Sequence, residues 1–207
     1  MNNLLVIEHP LIKRDITLLR DASTSSEDFR IVLKRIASLM VFEVTKDMRL
    51  TSFGVQTPLE KTEGYSTADE VILVPVLRAG LGMLEAYLAF IPNAKVGHIG
   101  MYRDEATLKP VDYYAKLPPN LSKSVVIVID PMLATGGSAS AAIGYLKQRE
   151  AKNIRLNCIV AAPEGVKRVE EEHPEVRIYA AVLDRELNKN GYILPGLGDA
   201  GDRIFGT

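Results

Sequence analysis

The sequence predicts an α/β fold in which a mostly parallel sheet is flanked by helices, within a single domain that spans residues 1–207. A short apolar run at 71–76 lacks polar alternation, as is typical of a strand covered on both faces, and further strands are predicted at 125–129, 154–161 and 176–183. Segments with helical periodicity separate these runs, and such alternation favours parallel pairing. A chain of 207 residues with 47% hydrophobic content is long enough to bury one sizeable core.

The other elements follow from local patterns in chain order. Residues 24–28 are typical of a helix N-cap with acids in the first turn, and apolar residues then recur at helical spacing to about residue 45. The predicted helices are 11–19, about 25–45, 80–90, 138–150 and 163–173. Further β-structure is predicted as a hairpin or meander at 50–64, a strand at 95–101 and a β-hairpin arm that follows it to about residue 119. The chain after 183 is predicted to be a long irregular tail rich in glycine.

Composition argues against several classes of function. The formal net charge of -1 gives no global field for nucleic acid or an anionic membrane, and no apolar run reaches the roughly 18 residues that span a bilayer. The N-terminus has no basic region followed by an apolar segment, so no signal peptide is predicted. One cysteine, Cys158, cannot form an internal disulfide, and its strand-like surroundings favour a core residue over a nucleophile. We therefore expect a cytoplasmic protein.

The most informative segment is 125–138, where a β-branched run stops at Asp130 and Thr135-Gly136-Gly137-Ser138 follows before an Ala-rich helix. A helix N-terminus offers unpaired N–H groups to a phosphate, and glycine lets the backbone approach that anion closely. A carboxylate can accept hydrogen bonds from two neighbouring ribose hydroxyls. The segment therefore predicts a binding site for a sugar phosphate. It is neither a Walker A loop, which ends in Gly-Lys-Ser/Thr, nor a nucleophile elbow.

Two cations follow other predicted strands. Arg78 comes after 71–76, with small residues and a helix beyond it, which favours an anion site over a surface arginine. Arg103 comes after 95–101, where the hairpin arm either brings it onto a substrate or serves in oligomerisation. Because ligands bind beyond the carboxyl ends of parallel strands, Arg78, Arg103 and Asp130 are expected at one edge of the sheet.

The tail contains a Gly-x-Gly-x-x-Gly match at 196–201. We reject a dinucleotide site there, because the match lies near the C-terminus, follows no strand directly and leaves no room for the βαβ unit that the motif requires. The glycines instead indicate a loop whose backbone comes close to a small flat ligand.

These motifs together resemble a known family. Asp130 to Ser138 resembles the phosphoribosyl-pyrophosphate (PRPP) loop of the type I phosphoribosyltransferases. Its single acid, together with Leu77–Gly82, Met101–Glu105 and Gly196–Thr207, is similar to the uracil phosphoribosyltransferase branch. The resemblance implies that PRPP and uracil give UMP and pyrophosphate in pyrimidine salvage. It also implies Mg²⁺ carried with PRPP, a homodimer or higher homo-oligomer and, in some members, activation by GTP. No nucleic acid or membrane partner is implied.

The resemblance also implies roles for individual residues. Arg78, Arg103 and Asp130 are expected to be catalytic, with both arginines near the pyrophosphate. PRPP is expected to contact these three residues and Pro131, Met132, Leu133, Ala134, Thr135, Gly136, Gly137, Ser138 and Asp199. Uracil is expected to contact Tyr192, Ile193, Gly198, Asp199 and Ala200. Backbone groups of the last set can match the two carbonyls and one N–H of uracil. No general base for the uracil N1 proton is assigned.

Three alternatives stay open at this stage. A phosphoribosyltransferase for a purine would share the strand-end residues but carry a different C-terminal loop. An RNA-binding regulator with this fold would show a basic face and salt-dependent binding, which the net charge does not support. An inactive homologue would have lost part of the set formed by Arg78, Arg103 and Asp130, which this chain retains.

Overall fold

The structure, a computed structural model, describes residues 2–103 and 110–207, and of residues 101–103 and 110–113 it describes the backbone alone. The helices are α1 (Pro10–Arg20), α2 (Ser26–Thr45), α3 (Leu81–Phe90), α4 (Gly137–Lys147), α5 (Pro163–Glu172) and α6 (Ala200–Phe205), with a 3-10 turn at Leu121–Lys123. The strands are β1 (Leu4–Val6), β2 (Leu50–Gln56), β3 (Lys61–Thr67), β4 (Val71–Leu77), β5 (Lys95–Val96), β6 (His98–Arg103), β7 (Pro110–Lys116), β8 (Val125–Ile129), β9 (Met132–Leu133), β10 (Asn153–Ala161), β11 (Arg177–Leu183), β12 (Glu186–Leu187) and β13 (Ile193–Leu194).

The central sheet has the strand order β1-β11-β10-β8-β4-β6-β7, with β5 beside β4 and β9 beside β10. Every neighbouring pair from β1 to β6 is parallel, and only β6 and β7 pair antiparallel. The prediction of a mostly parallel sheet is confirmed. Because the strands run in parallel, the carboxyl ends of β4, β8 and β10 lie at the same edge, where the ligand site of such sheets is found.

Helices cover both faces of the sheet, so each central strand contributes to two hydrophobic cores. In β4, for example, Val71 and Leu73 pack with α1, α2 and α3, whereas Ile72 and Val74 pack on the opposite face with α4 and α5. Successive side chains of a strand point to opposite faces, and both faces here are apolar. This double burial is the physical reason that the run at 71–76 lacks polar alternation.

Some predicted boundaries are wrong. The strand expected at 95–101 is two strands, β5 and β6, interrupted at Gly97, whose N–H donates to the Leu73 carbonyl (2.9 Å). The helix expected to reach residue 150 ends at Lys147, because Glu150 has a left-handed φ of 66° and the Ala151 N–H turns back to the Leu146 carbonyl (3.1 Å).

The two ends of the chain hold regular structure that the sequence did not predict. Strand β1 pairs with β11 at the edge of the sheet, although its three residues give too short a pattern to recognise. The tail after residue 183 is not wholly irregular: β12 and β13 form a small antiparallel ladder, and α6 follows. The glycine match at 196–201 therefore does lie between a short strand and a helix, but that helix has six residues and no βαβ unit surrounds it.

The hairpin predicted at 50–64 is confirmed, and it extends further than predicted, to residue 67. Its strands β2 and β3 pair antiparallel, from the pair Leu50 and Thr67 to the pair Gln56 and Lys61. Both strands are largely exposed. The arm after β6 is also a hairpin, in which β7 pairs with β6 from Pro110 to Lys116, and residues 104–109 at its tip lie outside the described part of the chain.

Candidate active site

Two adjoining cavities open at the carboxyl ends of β4 and β8. The larger, of about 370 Å³, is lined by Ala79, Asp130, Met132, Ala134, Thr135, Gly137, Ser138, Asn190, Gly191, Tyr192, Ile193, Gly198, Asp199, Ala200 and Gly201. The smaller, of about 220 Å³, has Arg78 in its wall. The two share the residues Ala79, Asp130, Ser138, Asp199 and Gly201. Segments more than a hundred residues apart in the sequence thus line both cavities.

Asp130 stands where β8 ends and its carboxyl faces both cavities. The Met132 N–H donates to Oδ1 of Asp130 (3.3 Å). The pKa of Asp130 is raised to about 7, chiefly by burial; the Met132 hydrogen bond lowers it, and the nearby charge of Asp199 adds a smaller rise. The carboxyl group therefore titrates near neutral pH and lies where a ligand can reach it.

The turn at 134–138 leads from Asp130 into α4, and Gly136 is the N-cap of that eleven-residue helix. Gly136 has a φ of +75°, and a Cβ there would come within 2.8 Å of the Gly165 carbonyl oxygen. Both constraints require glycine. The first N–H groups of α4, at Gly137 and Ser138, lie at the cavity wall, and N–H groups at a helix start have no acceptor within the helix. Together with the Thr135 and Ser138 hydroxyls, they form a cradle suited to a phosphate group.

Arg78 directly follows β4, through a Leu77–Arg78 peptide bond that is cis. Its guanidinium lies 3.5 Å from Asp202 Oδ1 and 5.6 Å from the centre of the Phe205 ring. More than half of the side chain is exposed, at 56%. An exposed cation at the cavity wall, with one long ion pair, can still take up an anion.

The C-terminal loop, residues 192–200, closes the other side of the larger cavity. Tyr192, Ile193, Gly198, Asp199 and Ala200 all lie in the wall. Asp199 is the N-cap of α6, and its Oδ1 accepts from the Asp202 N–H (3.0 Å). Ala200 is the first residue of α6, so its N–H has no acceptor within the helix. The wall therefore offers a flat ligand both apolar surface and backbone donors.

Most predicted site residues come together here, but not all. Pro131, Leu133 and Gly136 lie behind the wall: the Pro131 carbonyl accepts from Ile159 and Val160, and the Leu133 side chain is buried in a core. The side chain of Arg103 lies outside the described residues, so its predicted role remains a prediction.

Four residues of the wall were missed by the sequence analysis, namely Ala79, Asn190, Gly191 and Gly201. Asn190-Gly191 is a turn dipeptide, and that signal could have placed it beside the loop. Gly201 ends the glycine match at 196–201, which already indicated a loop close to a ligand. Ala79 carries no such signal, because a small residue is recognised as a ligand contact only when the backbone is seen to approach the cavity.

Cys158, the one cysteine that could have served as a nucleophile, is a core residue. Cys158 is fully buried in β10, and burial raises the pKa of its thiol, as expected of a core residue. Across residues 2–103 and 110–207, no group of three or more His, Cys, Asp or Glu side chains is placed to hold a metal ion. None of the helices in that part of the chain is both long and apolar enough to cross a membrane.

Comparisons with known proteins agree on one family. A family model described as uracil phosphoribosyltransferase matches residues 6–207. Curated proteins named uracil phosphoribosyltransferase from Finegoldia magna and from Bacillus thuringiensis are each 56% identical over 208 residues and cover all of both chains. A solved structure from Aquifex aeolicus has a TM-score of 0.93 at 40% identity, over 98% of this chain and 97% of that one. An adenine phosphoribosyltransferase of Trypanosoma brucei has a TM-score of 0.61 at 15% identity, over 96% and 89% of the chains, which shows a shared fold.

Proposed function

This chain belongs to the uracil phosphoribosyltransferase family, and from that premise we propose how its residues transfer the phosphoribosyl group of PRPP to uracil, giving UMP and pyrophosphate. The observation that carries the proposal is the shared wall of the two cavities. A carboxylate, a phosphate cradle, a cation and a loop with backbone donors line two adjoining cavities, which suits a ribose that carries a phosphate, a pyrophosphate and an incoming base. We also propose that the whole chain acts as one domain, because the two cavities draw on residues from 76 to 201.

Asp130 and the turn at 134–138 hold the ribose 5-phosphate portion of PRPP. The N–H groups of Gly137 and Ser138 and the hydroxyls of Thr135 and Ser138 donate to the 5′-phosphate. The Asp130 carboxylate accepts from the 2′- and 3′-hydroxyls. Its negative charge also favours the positive charge that develops on the sugar ring as the bond to pyrophosphate breaks, so the carboxylate stabilises the transition state more than the ground state.

Arg78 binds the pyrophosphate, whose negative charge grows as it leaves. Its guanidinium is exposed in the smaller cavity beside Asp130, and a donor fork suits phosphate oxygens. A preorganised cation at the leaving group lowers the barrier where charge develops. Arg103, on the arm formed by β6 and β7, is the second cation of the proposal.

Magnesium enters with PRPP as part of the substrate. Mg²⁺ keeps several waters and needs few protein ligands when phosphates supply the rest, which suits a site with two separate carboxylates. Asp199 lies in both cavities and uses Oδ1 to cap α6, which leaves Oδ2 for the waters of that ion or for a ribose hydroxyl.

The C-terminal loop recognises uracil through its backbone. The N–H groups of Gly198 and Ala200 donate to the base carbonyls, the backbone at Ile193 completes the edge, and Tyr192 and Ile193 pack on the ring. Cytosine places an amine donor where uracil has a carbonyl, so a backbone N–H would lose its acceptor. Each buried donor left unpaired costs about 1–3 kcal/mol, which is roughly tenfold to a hundredfold in selectivity.

Assembly, regulation and location complete the proposal. We expect a homo-oligomer, since Leu50, Phe53 and Tyr65 of the β2–β3 hairpin expose large apolar surfaces. Activation by GTP, as in some relatives of this family, and a cytoplasmic location, consistent with one unpaired cysteine, remain predictions. Light scattering and rate measurements with and without GTP test the first two.

The decisive experiment is an assay of purified protein with Mg²⁺, PRPP and labelled uracil, run in parallel with cytosine, adenine and hypoxanthine. UMP should form from uracil and no nucleotide from the other bases. Nucleotide formation from a purine at a comparable rate would instead favour the purine alternative, and no product from any base would favour the inactive homologue.

A further inference from the structure

The backbone of the C-terminal loop is held from behind by three charged side chains, here called the support cluster: Arg20, Asp184 and Arg203. Arg20 ends α1 and Asp184 follows β11, and their side chains form a two-point ion pair, with 2.5 Å from Nη2 to Oδ1 and 3.2 Å from Nη1 to Oδ2. The Asp184 side chain is only 3% exposed. Neither residue lines the larger cavity or the smaller one.

The ion pair binds both polar groups of one loop residue, Gly196. Its N–H donates to Asp184 Oδ2 (2.9 Å), and its carbonyl accepts from Arg20 Nη1 (3.4 Å). Gly196 has a φ of +62°, and a Cβ there would overlap the carbonyl oxygen of Ile193. The turn is therefore held in a left-handed conformation two residues before Gly198.

Arg203 binds the next peptide group. Its Nη1 donates to the carbonyl of Leu197 (3.0 Å) and to that of Leu19 at the end of α1, and its Nη2 donates to the Asp21 carbonyl (2.6 Å). The guanidinium also lies 4.5 Å from the centre of the Phe29 ring. Two arginines thus tie residues 196 and 197 to the C-terminal end of α1. Arg20 extends from α1 to the loop, and Arg203 extends from α6 to the loop and to α1.

We propose that the support cluster, with Asp184 at its centre, positions the C-terminal loop for the base and thereby sets uracil affinity and the discrimination against cytosine. The inference rests on the proposed function of that loop. A base recognised by backbone groups depends on where the backbone lies, and no side chain of the loop can compensate for a shift. A buried ion pair by itself contributes little net stability, so its value here lies in fixing one geometry.

The test compares Asp184→Asn with the wild type and with a matched control, Asp15→Asn. Asp15 in α1 is likewise a buried carboxylate paired with arginines, Arg14 and Arg35, but it does not touch the loop. In Asp184→Asn, KM for uracil should rise about tenfold and the preference for uracil over cytosine should fall by a similar factor, while KM for PRPP stays within about twofold. In Asp15→Asn, the thermal midpoint should fall while both KM values hold.

Arg20→Lys provides a second variant, because lysine keeps the charge but cannot bind Asp184 and Gly196 with one fork. It should also raise KM for uracil, and the double variant with Asp184→Asn should raise it by less than the product of the two single effects. Equal rises in both KM values, or a uracil effect of the same size in Asp15→Asn, would overturn the proposal. A wild-type protein that makes no UMP would instead overturn the proposed function.

Discussion

Capture of PRPP should depend on pH through Asp130, because burial raises the pKa of this carboxyl to about 7. Only the ionised form accepts hydrogen bonds from both ribose hydroxyls and carries the charge that stabilises the sugar cation. A group with this pKa is about 9% ionised at pH 6, half ionised at pH 7 and about 91% ionised at pH 8. The value of kcat/KM for PRPP should therefore rise about fivefold from pH 6 to pH 7 and about twofold more by pH 8.

The assay measures initial rates at saturating uracil and limiting PRPP, at constant ionic strength, because kcat/KM reports groups of the free enzyme and free substrate. The phosphates of PRPP also titrate near pH 6, so a second protein is needed to assign the effect. Asp199→Asn removes a charge that raises the pKa of Asp130, and the rising limb should therefore move to lower pH. If the pH dependence came from titration of PRPP itself, the rising limb would lie at the same pH in the wild type and in Asp199→Asn. A flat profile, or an identical limb in both proteins, would refute the reasoning.

Three further predictions concern other parts of the chain. Arg78→Ala should lower kcat/KM for PRPP by about a hundredfold or more with little change in KM for uracil, since the leaving group loses a preorganised cation; steady-state rates check this, and a change confined to uracil would contradict it. Ala200→Pro should raise KM for uracil about tenfold to a hundredfold, more than KM for PRPP, because one backbone donor is lost. Proline is tolerated at the first position of a helix, and Asp199 before it is already extended at φ -83° and ψ 115°, so the variant should fold. A circular dichroism spectrum that shows loss of secondary structure would contradict this expectation. Tyr87→Phe should lower the free energy of unfolding by about 1–3 kcal/mol in urea titrations, because the buried Asn157 Oδ1 loses its donor at 2.7 Å; an unchanged midpoint would show that this hydrogen bond contributes nothing.

Most of the fold could be predicted because its signals are local. β4 and β8 are buried on both faces and apolar at every position, so they are visible in any short window of the sequence. The elements that escaped prediction are short. Strand β1 has three residues and α6 has six, too few to show a period, and both form because they pack on neighbours that are distant in the sequence.

The candidate site was predictable to the extent that each part follows a strand. Asp130, the turn at 134–138 and Arg78 stand at strand ends, and a parallel sheet brings such ends to one edge. The assignment of Pro131 and Leu133 to substrate contacts could not be tested from sequence, because a motif does not tell which of its residues face the ligand and which pack behind it.

The sequence by itself determined the class of the sheet, the phosphate turn and its acid, and the family, because each depends on residues that are neighbours in the chain. Only the tertiary structure decided how the C-terminal loop is held. Arg20 and Asp184 are 164 positions apart, and Arg20 and Gly196 are 176 apart, so no local pattern connects them. Their contact exists because the fold brings the C-terminal end of α1 next to the residue that follows β11, where the buried carboxylate of Asp184 binds both Arg20 and the Gly196 N–H.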